Sequence, residues 1–455
     1  MRIVARAVTV IAVALAISPG VASADRAEPG LTETEVSFRT ADGLTLGGTV
    51  FAPADRSGRL PGLLLVHGSG SGGPGYREKL RGEAEAFARQ GIVVLAPDKR
   101  DKDYSLFHRD FAVLADDAIA AFGVLRDRPE VDPAKAGIWG LSEGGWVAPM
   151  AAAKSPDIKF LITAAAPAMT PLRQTSWNVT NKMAASGVGG SLVMAFPYTW
   201  HRMISDAGMF AAPYHDPIPT LAALRVPVLA LWGEKDTAVP PAETARIFAD
   251  TVSSPLTVRF LPGAGHAMHQ RGSAGERLPT LVPGYADTVG TWVKAVTGGV
   301  VPAAHIDPPP TQARASIDVP ESAWWESGFA QFAALGVFLL AFGAYPVIAL
   351  VRRPRGNWAA RVLVVSGLLG SFGAVGYLSS LMFSMTEFTV DAGPLLGDRP
   401  LLWLLLQALA LTALVATLLV ARGWRTAPDR ARQALLLVGG GLFVPWALYW
   451  GLLLP

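Results

Sequence analysis

From Thr32 to Val296, apolar residues come in short unbroken runs, separated by stretches in which they recur every three or four positions. Unbroken runs suit strands buried on both faces of a parallel sheet, and the spaced pattern suits helices that cover it. Strands are predicted at Leu63–Val66, Ile92–Ala96, Ala136–Trp139, Phe160–Ala164, Val228–Trp232 and Thr257–Leu261. An antiparallel hairpin, Val36–Thr40 with Leu44–Phe51, turns at Asp42-Gly43 and belongs at the sheet edge. Helices are predicted near Tyr76–Gln90, Phe111–Arg126, Glu143–Ala153 and Ala242–Asp250. The fold class is therefore α/β, a mostly parallel, doubly wound sheet over residues 32–298. Between Ala168 and Leu224 the rhythm breaks for about 55 residues rich in Met, Trp and Tyr. Insertions of that length inside a domain are usually functional, and this one is read as a helical lid over an active site.

A different pattern closes the chain. Four apolar segments, near Phe329–Val351, Val362–Met385, Leu401–Ala421 and Ala434–Leu454, are each long enough to span a bilayer. They predict an all-α transmembrane domain over 329–454. The first connection carries Arg352, Arg353, Arg355 and Arg361, and the last carries Arg422, Arg425, Arg430 and Arg432. The middle one holds Glu387, Asp391 and Asp398 against Arg399. Basic loops stay cytoplasmic, so the region before Phe329 is expected outside the cell membrane. Residues 1–24 lead to the same side: Arg2 and Arg6, the apolar run Ala7–Ile17 and the small-residue site Ala22-Ser23-Ala24 read as a signal peptide. Residues 299–323, with Pro308-Pro309-Pro310, read as a semi-extended linker, and Trp324-Trp325 fall where an interfacial aromatic belt would sit. A spacer with little apolar content predicts that the chain up to about Ala304 can stand apart as a soluble, active unit.

Composition fits that division. A hydrophobic share of 51% with 16% charged residues is too apolar for a wholly soluble chain. The net charge of +3 gives no case for nucleic acid. With no cysteine and seven scattered histidines, there are neither disulfides nor thiol chemistry nor a metal site with the usual ligand spacing. No metal or cofactor is expected.

The chemistry is concentrated in a few motifs. Gly140-Leu141-Ser142-Glu143-Gly144 is a G-x-S-x-G sequence between a strand pattern and a helix pattern, which raises the Ser142 hydroxyl above the sheet as a nucleophile. Such a turn leaves almost no room for side chains two positions either side, hence Gly140 and Gly144. A serine needs a base, and His266 follows the last strand and the loop Pro262-Gly263-Ala264-Gly265, with His269 as the competitor. Asp236, after Val228–Trp232, is the acid that orients the histidine, and Glu234 is the alternative carboxylate. Along the chain the three stand in the order Ser142, Asp236, His266. An oxyanion needs two backbone donors: the amide of Glu143, and that of Ser69 in His67-Gly68-Ser69-Gly70-Ser71-Gly72-Gly73. His67 is expected to be a structural hydrogen-bonding residue, and the glycine loop lacks the Lys-Ser/Thr ending of a phosphate cradle.

Taken together, Leu63 to His266 resembles the α/β-hydrolase superfamily. The His67-Gly68-Ser69-Gly70 loop, Asp98-Lys99-Arg100 and Ser142-Glu143-Gly144-Gly145 are similar to bacterial esterases related to dienelactone hydrolases and prolyl-oligopeptidase-like enzymes. Asp101 departs from the glycine usual after Asp-Lys-Arg. The domain that carries this resemblance, Thr32 to Val296, is about 265 residues long and excludes the membrane segment. The resemblance implies an α/β-hydrolase fold and carboxylic-ester hydrolysis by a Ser142–Asp236–His266 triad. The expected partner is a small-molecule or lipid-derived ester. Peptidase, acyltransferase and a non-catalytic binding module are the competing readings.

Overall fold

In the computed structural model, the described residues are 30–105, 107–272, 276–300, 302–352, 357–426 and 429–455, with the side chains of 349–352 and 426 left aside. The proposed signal peptide, and Arg353 and Arg355 of the first connection between apolar segments, lie outside them. The sheet is built from β1 (Leu31–Arg39), β2 (Thr45–Pro53), β3 (Leu60–Val66), β4 (Val93–Pro97), β5 (Val131–Leu141), β6 (Leu161–Ala164), β7 (Val228–Gly233) and β8 (Leu256–Leu261). Their spatial order is β1-β2-β4-β3-β5-β6-β7-β8, and a two-residue strand, His305–Ile306, pairs parallel with β8. β1 and β2 form the expected edge hairpin, and β2 is antiparallel to β4. From β4 onward every pairing is parallel.

Parallel strands need crossover connections, and helices supply them on both faces. These are α1 (Arg81–Ala88), α2 (Phe111–Arg126), α3 (Gly144–Lys154), α4 (Pro171–Ala185), α5 (Leu192–Met194), α6 (His201–Asp206), α7 (Ile218–Ala222), α8 (Pro241–Thr251) and α9 (Tyr285–Thr297). Two apolar layers result, one on each side of the sheet. One holds Leu64, Leu95, Phe122, Ile138, Val147 and Trp232, and the other Leu63, Phe87, Val94, Trp139, Tyr285 and Trp292.

The insertion between β6 and β7 is helical, as expected of a lid, and carries α4 to α7. Between α5 and α6 the chain widens into a π-helical stretch, Ala195–Trp200, around Pro197. Proline withholds an amide donor, so nearby carbonyls lose intrahelical partners. Two side chains donate to carbonyls of this stretch: Ser176 Oγ to Pro197 O (2.6 Å) and His201 Nδ1 to Phe196 O (2.7 Å).

Four long helices follow, α10 (Gly328–Arg352), α11 (Trp358–Phe383), α12 (Leu401–Arg422) and α13 (Arg430–Tyr449). Each is long and apolar enough to cross a membrane. Their mutual contacts use small residues: a Cβ on Gly367 or Gly439 would lie within 3 Å of Phe342 or Ala341 side-chain atoms. The bundle is not remote from the sheet domain. Lid residues Leu192, Phe196, Trp200 and Met203 share one buried apolar cluster with Phe338, Trp403, Trp446 and Trp450 of the helices.

Residues 299–323 also depart from the free spacer expected of their composition. Trp177 Nε1 donates to Arg314 O (3.0 Å), Ser316 is bonded to Arg173 and Glu243, and Val319 is buried against Leu172 and Tyr198. The proline-rich strand is strapped to the lid and to α8. A few apolar contacts and several side-chain hydrogen bonds fix it in place.

Candidate active site

β5 ends in a sharp turn at Ser142, whose φ of 53° is a left-handed conformation that a non-glycine residue adopts only when its surroundings impose it. The imposition is visible. A Cβ on Gly140 would sit 2.2 Å from the Gly144 carbonyl oxygen, and one on Gly144 would sit 2.5 Å from Val66 O. Strand and helix therefore meet only because both positions lack a side chain. Ser142 N donates to Ala164 O (2.9 Å), tying the turn to the end of β6.

Three side chains converge there from three strand ends. His266 Nε2 lies 2.9 Å from Ser142 Oγ, and His266 Nδ1 lies 2.9 Å from Asp236 Oδ2. The other Asp236 oxygen accepts from the amides of Ala238 (2.7 Å) and Val239 (2.9 Å), so this buried carboxylate is fully engaged. The loops carrying Asp236 and His266 touch at Gly233, where a Cβ would lie 2.4 Å from Ala264 O. The two competitors are elsewhere. Glu234 is exposed, 3.4 Å from the Gly263 amide, and His269 Nδ1 donates to Leu278 O (2.9 Å) beyond reach of the serine.

Glu143, the residue after Ser142, stands at the N-terminus of α3, where the helix dipole favours negative charge. Its own carboxylate is buried and doubly paired. Oε1 accepts from Lys99 Nζ (2.6 Å) and Tyr104 OH (2.8 Å), and Oε2 accepts from Arg109 Nη1 (2.6 Å). Lys99 Nζ also donates to Gly68 O (2.7 Å), so one ammonium joins the elbow to the loop that carries Ser69. Burial pulls the Lys99 ammonium down to about 8, against the opposing influence of Glu143. His67 is the expected structural residue: its Nε2 donates to Pro97 O (2.6 Å), and burial lowers it to about 3, which keeps the ring neutral. Near the departure at Asp101, the left-handed residue is Asp103 (φ 56°), so position 101 needs no glycine.

Residues 79–282 match the prolyl oligopeptidase family. With Ser142, Asp236 and His266 following β5, β7 and β8 of a sheet ordered β1-β2-β4-β3-β5-β6-β7-β8, the fold is decided. The chain carries an α/β-hydrolase domain. Among known proteins it is similar to an uncharacterised protein of Mycobacterium tuberculosis, 28% identical over 235 residues that cover 51% of this chain and 72% of that one. It is also similar to the polyketide transferase claH of Penicillium crustosum, 32% identical over 137 residues, 28% of this chain and 42% of that one. Solved structures that resemble it include an acetyl xylan esterase from Paenibacillus sp. R4 (TM-score 0.42, 19% identity, 60% of this chain and 86% of that one). An esterase of Pyrococcus furiosus is another (TM-score 0.41, 18% identity, 58% and 92%).

Above Ser142 the hydrolase domain encloses a cavity of about 280 Å3. Ser69, Ser142, Glu143, Trp146 and His266 form its floor side, and the lid contributes Gln174, Asn178, Lys182 and Phe210. Glu387 and Phe388, from the connection between α11 and α12, line it as well. Lys99, Tyr104, Arg109, Glu387 and Phe388 were not legible as site residues. The first three act through Glu143, whose side chain the elbow motif leaves undefined. The last two lie in a loop whose charge reads as ordinary solvent exposure.

Proposed function

We propose that the protein is a membrane-bound serine hydrolase that cleaves carboxylic esters, with Ser142 as nucleophile, His266 as general base and Asp236 as the acid that orients it. The observation that carries this reading is the unbroken relay of 2.9 Å contacts from Ser142 Oγ through His266 to Asp236. In the first half-reaction Oγ bonds to the substrate's carbonyl carbon while its proton passes to His266 Nε2. Collapse of the tetrahedral adduct expels the alkoxide, which takes that proton and leaves an acyl-serine. Water then attacks the acyl carbon, His266 accepts a proton from it, and return of that proton to Oγ releases the carboxylic acid. The amides of Ser69 and Glu143 are the donors assigned to the oxyanion.

Ester cleavage is favoured by the size of the cavity, about 280 Å3, which suits a small acyl group better than a protein segment. The match to the prolyl oligopeptidase family favours a second reading, peptide-bond hydrolysis by the same triad. Turnover of a chain-length series of nitrophenyl esters set beside aminoacyl nitroanilides separates the two: esters should be cleaved and anilides left intact, whereas anilide hydrolysis that Ser142→Ala abolishes would favour the peptidase.

The hydrolase domain is assigned to the extracytoplasmic side. The acidic α11–α12 connection lies on the hydrolase side of the bundle, and the other two connections are rich in arginine. This chain has no cysteine, so Arg425→Cys gives a single thiol. An impermeant maleimide should not label it in intact cells; labelling there would reverse the orientation.

A further inference from the structure

The cavity over Ser142 is closed in part by the membrane segment. We propose that the connection between α11 and α12 is a specificity-determining wall of the active site, with Phe388 meeting the apolar chain of an amphiphilic ester. The inference rests on the reading of Ser142 as the nucleophile and adds to it what selects the substrate.

Phe388 is held from two sides. Its loop is a tight turn in which Thr386 N donates to Thr389 O (2.9 Å) and Thr389 N to Thr386 Oγ1 (3.0 Å). The lid grips this turn: Lys182 Nζ donates to Thr386 O (2.8 Å), and Val390 N donates to Ser186 Oγ (3.0 Å). Further along, Gly189 N donates to Asp398 O (2.7 Å), and a Cβ on Gly189 would lie 2.0 Å from an Asp398 carboxylate oxygen. The lid glycine is what lets the loop approach so closely. On the other side the Arg271 guanidinium covers the Phe388 ring at 4.4 Å and donates to Thr237 Oγ1 (3.0 Å), next to Asp236. A half-buried aromatic ring is thus fixed between the membrane segment and the loop of the catalytic acid.

The lining suits an amphiphile. Trp146, Phe210 and Phe388 offer apolar surface, while Gln174, Asn178 and Glu387 offer hydrogen-bonding groups. The loop also stands at the end of α11 and α12, at the level of a bilayer surface, where such a molecule partitions. A soluble hydrolase needs no such wall, and a mere anchor would not reach the nucleophile.

Phe388→Cys in the full-length protein, in lipid nanodiscs, introduces the only thiol. After Ser142 reacts with a long-chain alkyl fluorophosphonate, maleimide labelling at position 388 should slow at least about 5-fold. Leu396→Cys, 65% exposed in the same connection and outside the cavity lining, should show no change. In parallel, Phe388→Ala and the milder Phe388→Leu should each lower the laurate-to-butyrate ratio of kcat/KM, the alanine by at least about 5-fold. If the phosphonate attaches to Ser142 while position 388 stays equally reactive and the ratio is flat in both variants, the inference is overturned and the nucleophile reading survives. If the phosphonate never attaches to Ser142, both fall together.

Discussion

At the scale of single residues, two histidines three positions apart differ completely in surroundings. His266 bridges Asp236 and Ser142, whereas His269 faces the Leu278 carbonyl with Glu83 3.8 Å from its other nitrogen. His266→Ala should lower kcat by about three orders of magnitude or more, because nucleophile and base act as one unit. His269→Ala should keep activity within about tenfold and act mainly on stability, which steady-state kinetics and thermal unfolding together resolve. Lys99 makes a pH-dependent prediction. Its ammonium holds Glu143 and Gly68 O, and burial lowers it from 10.5 to about 8. Between these values the unfolded chain binds the proton and the folded one does not, so this group's contribution to stability rises with pH across that window. Activity should move the other way: kcat should fall as pH passes about 8. There the tether between the elbow and the Ser69 loop loses its positive charge and one of the three N–H groups that serve Gly68 O, Tyr104 OH and Glu143 Oε1. Lys99→Met should be slower throughout and lack this alkaline limb. A pH–rate profile unchanged by the substitution would rule the tether out.

At the scale of elements, the sheet and its helices were readable because buried parallel strands are almost uninterrupted apolar runs. Phe111–Arg126 has the same limits in pattern and structure, and the edge hairpin turns where Asp42-Gly43 required. The elbow was equally legible, since its steric demand falls on residue types. Gly140→Ala would set a methyl 2.2 Å from the Gly144 carbonyl oxygen. It should destabilise the domain by about 1–3 kcal/mol and lower kcat sharply, measured by thermal unfolding beside turnover. The lid was legible only as an interruption. Its helices obey a pattern set by the transmembrane helices they touch, and its π-helical turn accepts hydrogen bonds from Ser176 and His201, which are remote from one another along the chain.

At the scale of the whole molecule, composition separates a hydrolase from a membrane segment and suggests a free spacer between them, but packing joins all three. Pattern along the chain reports what a residue can bury, not which partner buries it. Lid residues Leu192, Phe196, Trp200 and Met203 are buried by the spanning helices, and Ser191 Oγ donates to Gly451 O (2.7 Å) across the same interface. A chain ending near Ala304 would expose that apolar face. It should aggregate or require detergent, and lose the wall that Phe388 provides. A monodisperse truncated protein with the full chain's ester selectivity, read by light scattering and kinetics, would return the helices to the role of an anchor.

The central claim is covalent catalysis at Ser142, and acid quench during the first turnovers of a nitrophenyl ester tests it most directly. Peptide mass spectrometry should find the substrate's acyl group on Ser142, and Ser142→Ala should lose both the adduct and all but a trace of hydrolysis. An adduct on another residue, or Ser142→Ala retaining more than about a tenth of wild-type turnover, would contradict the account.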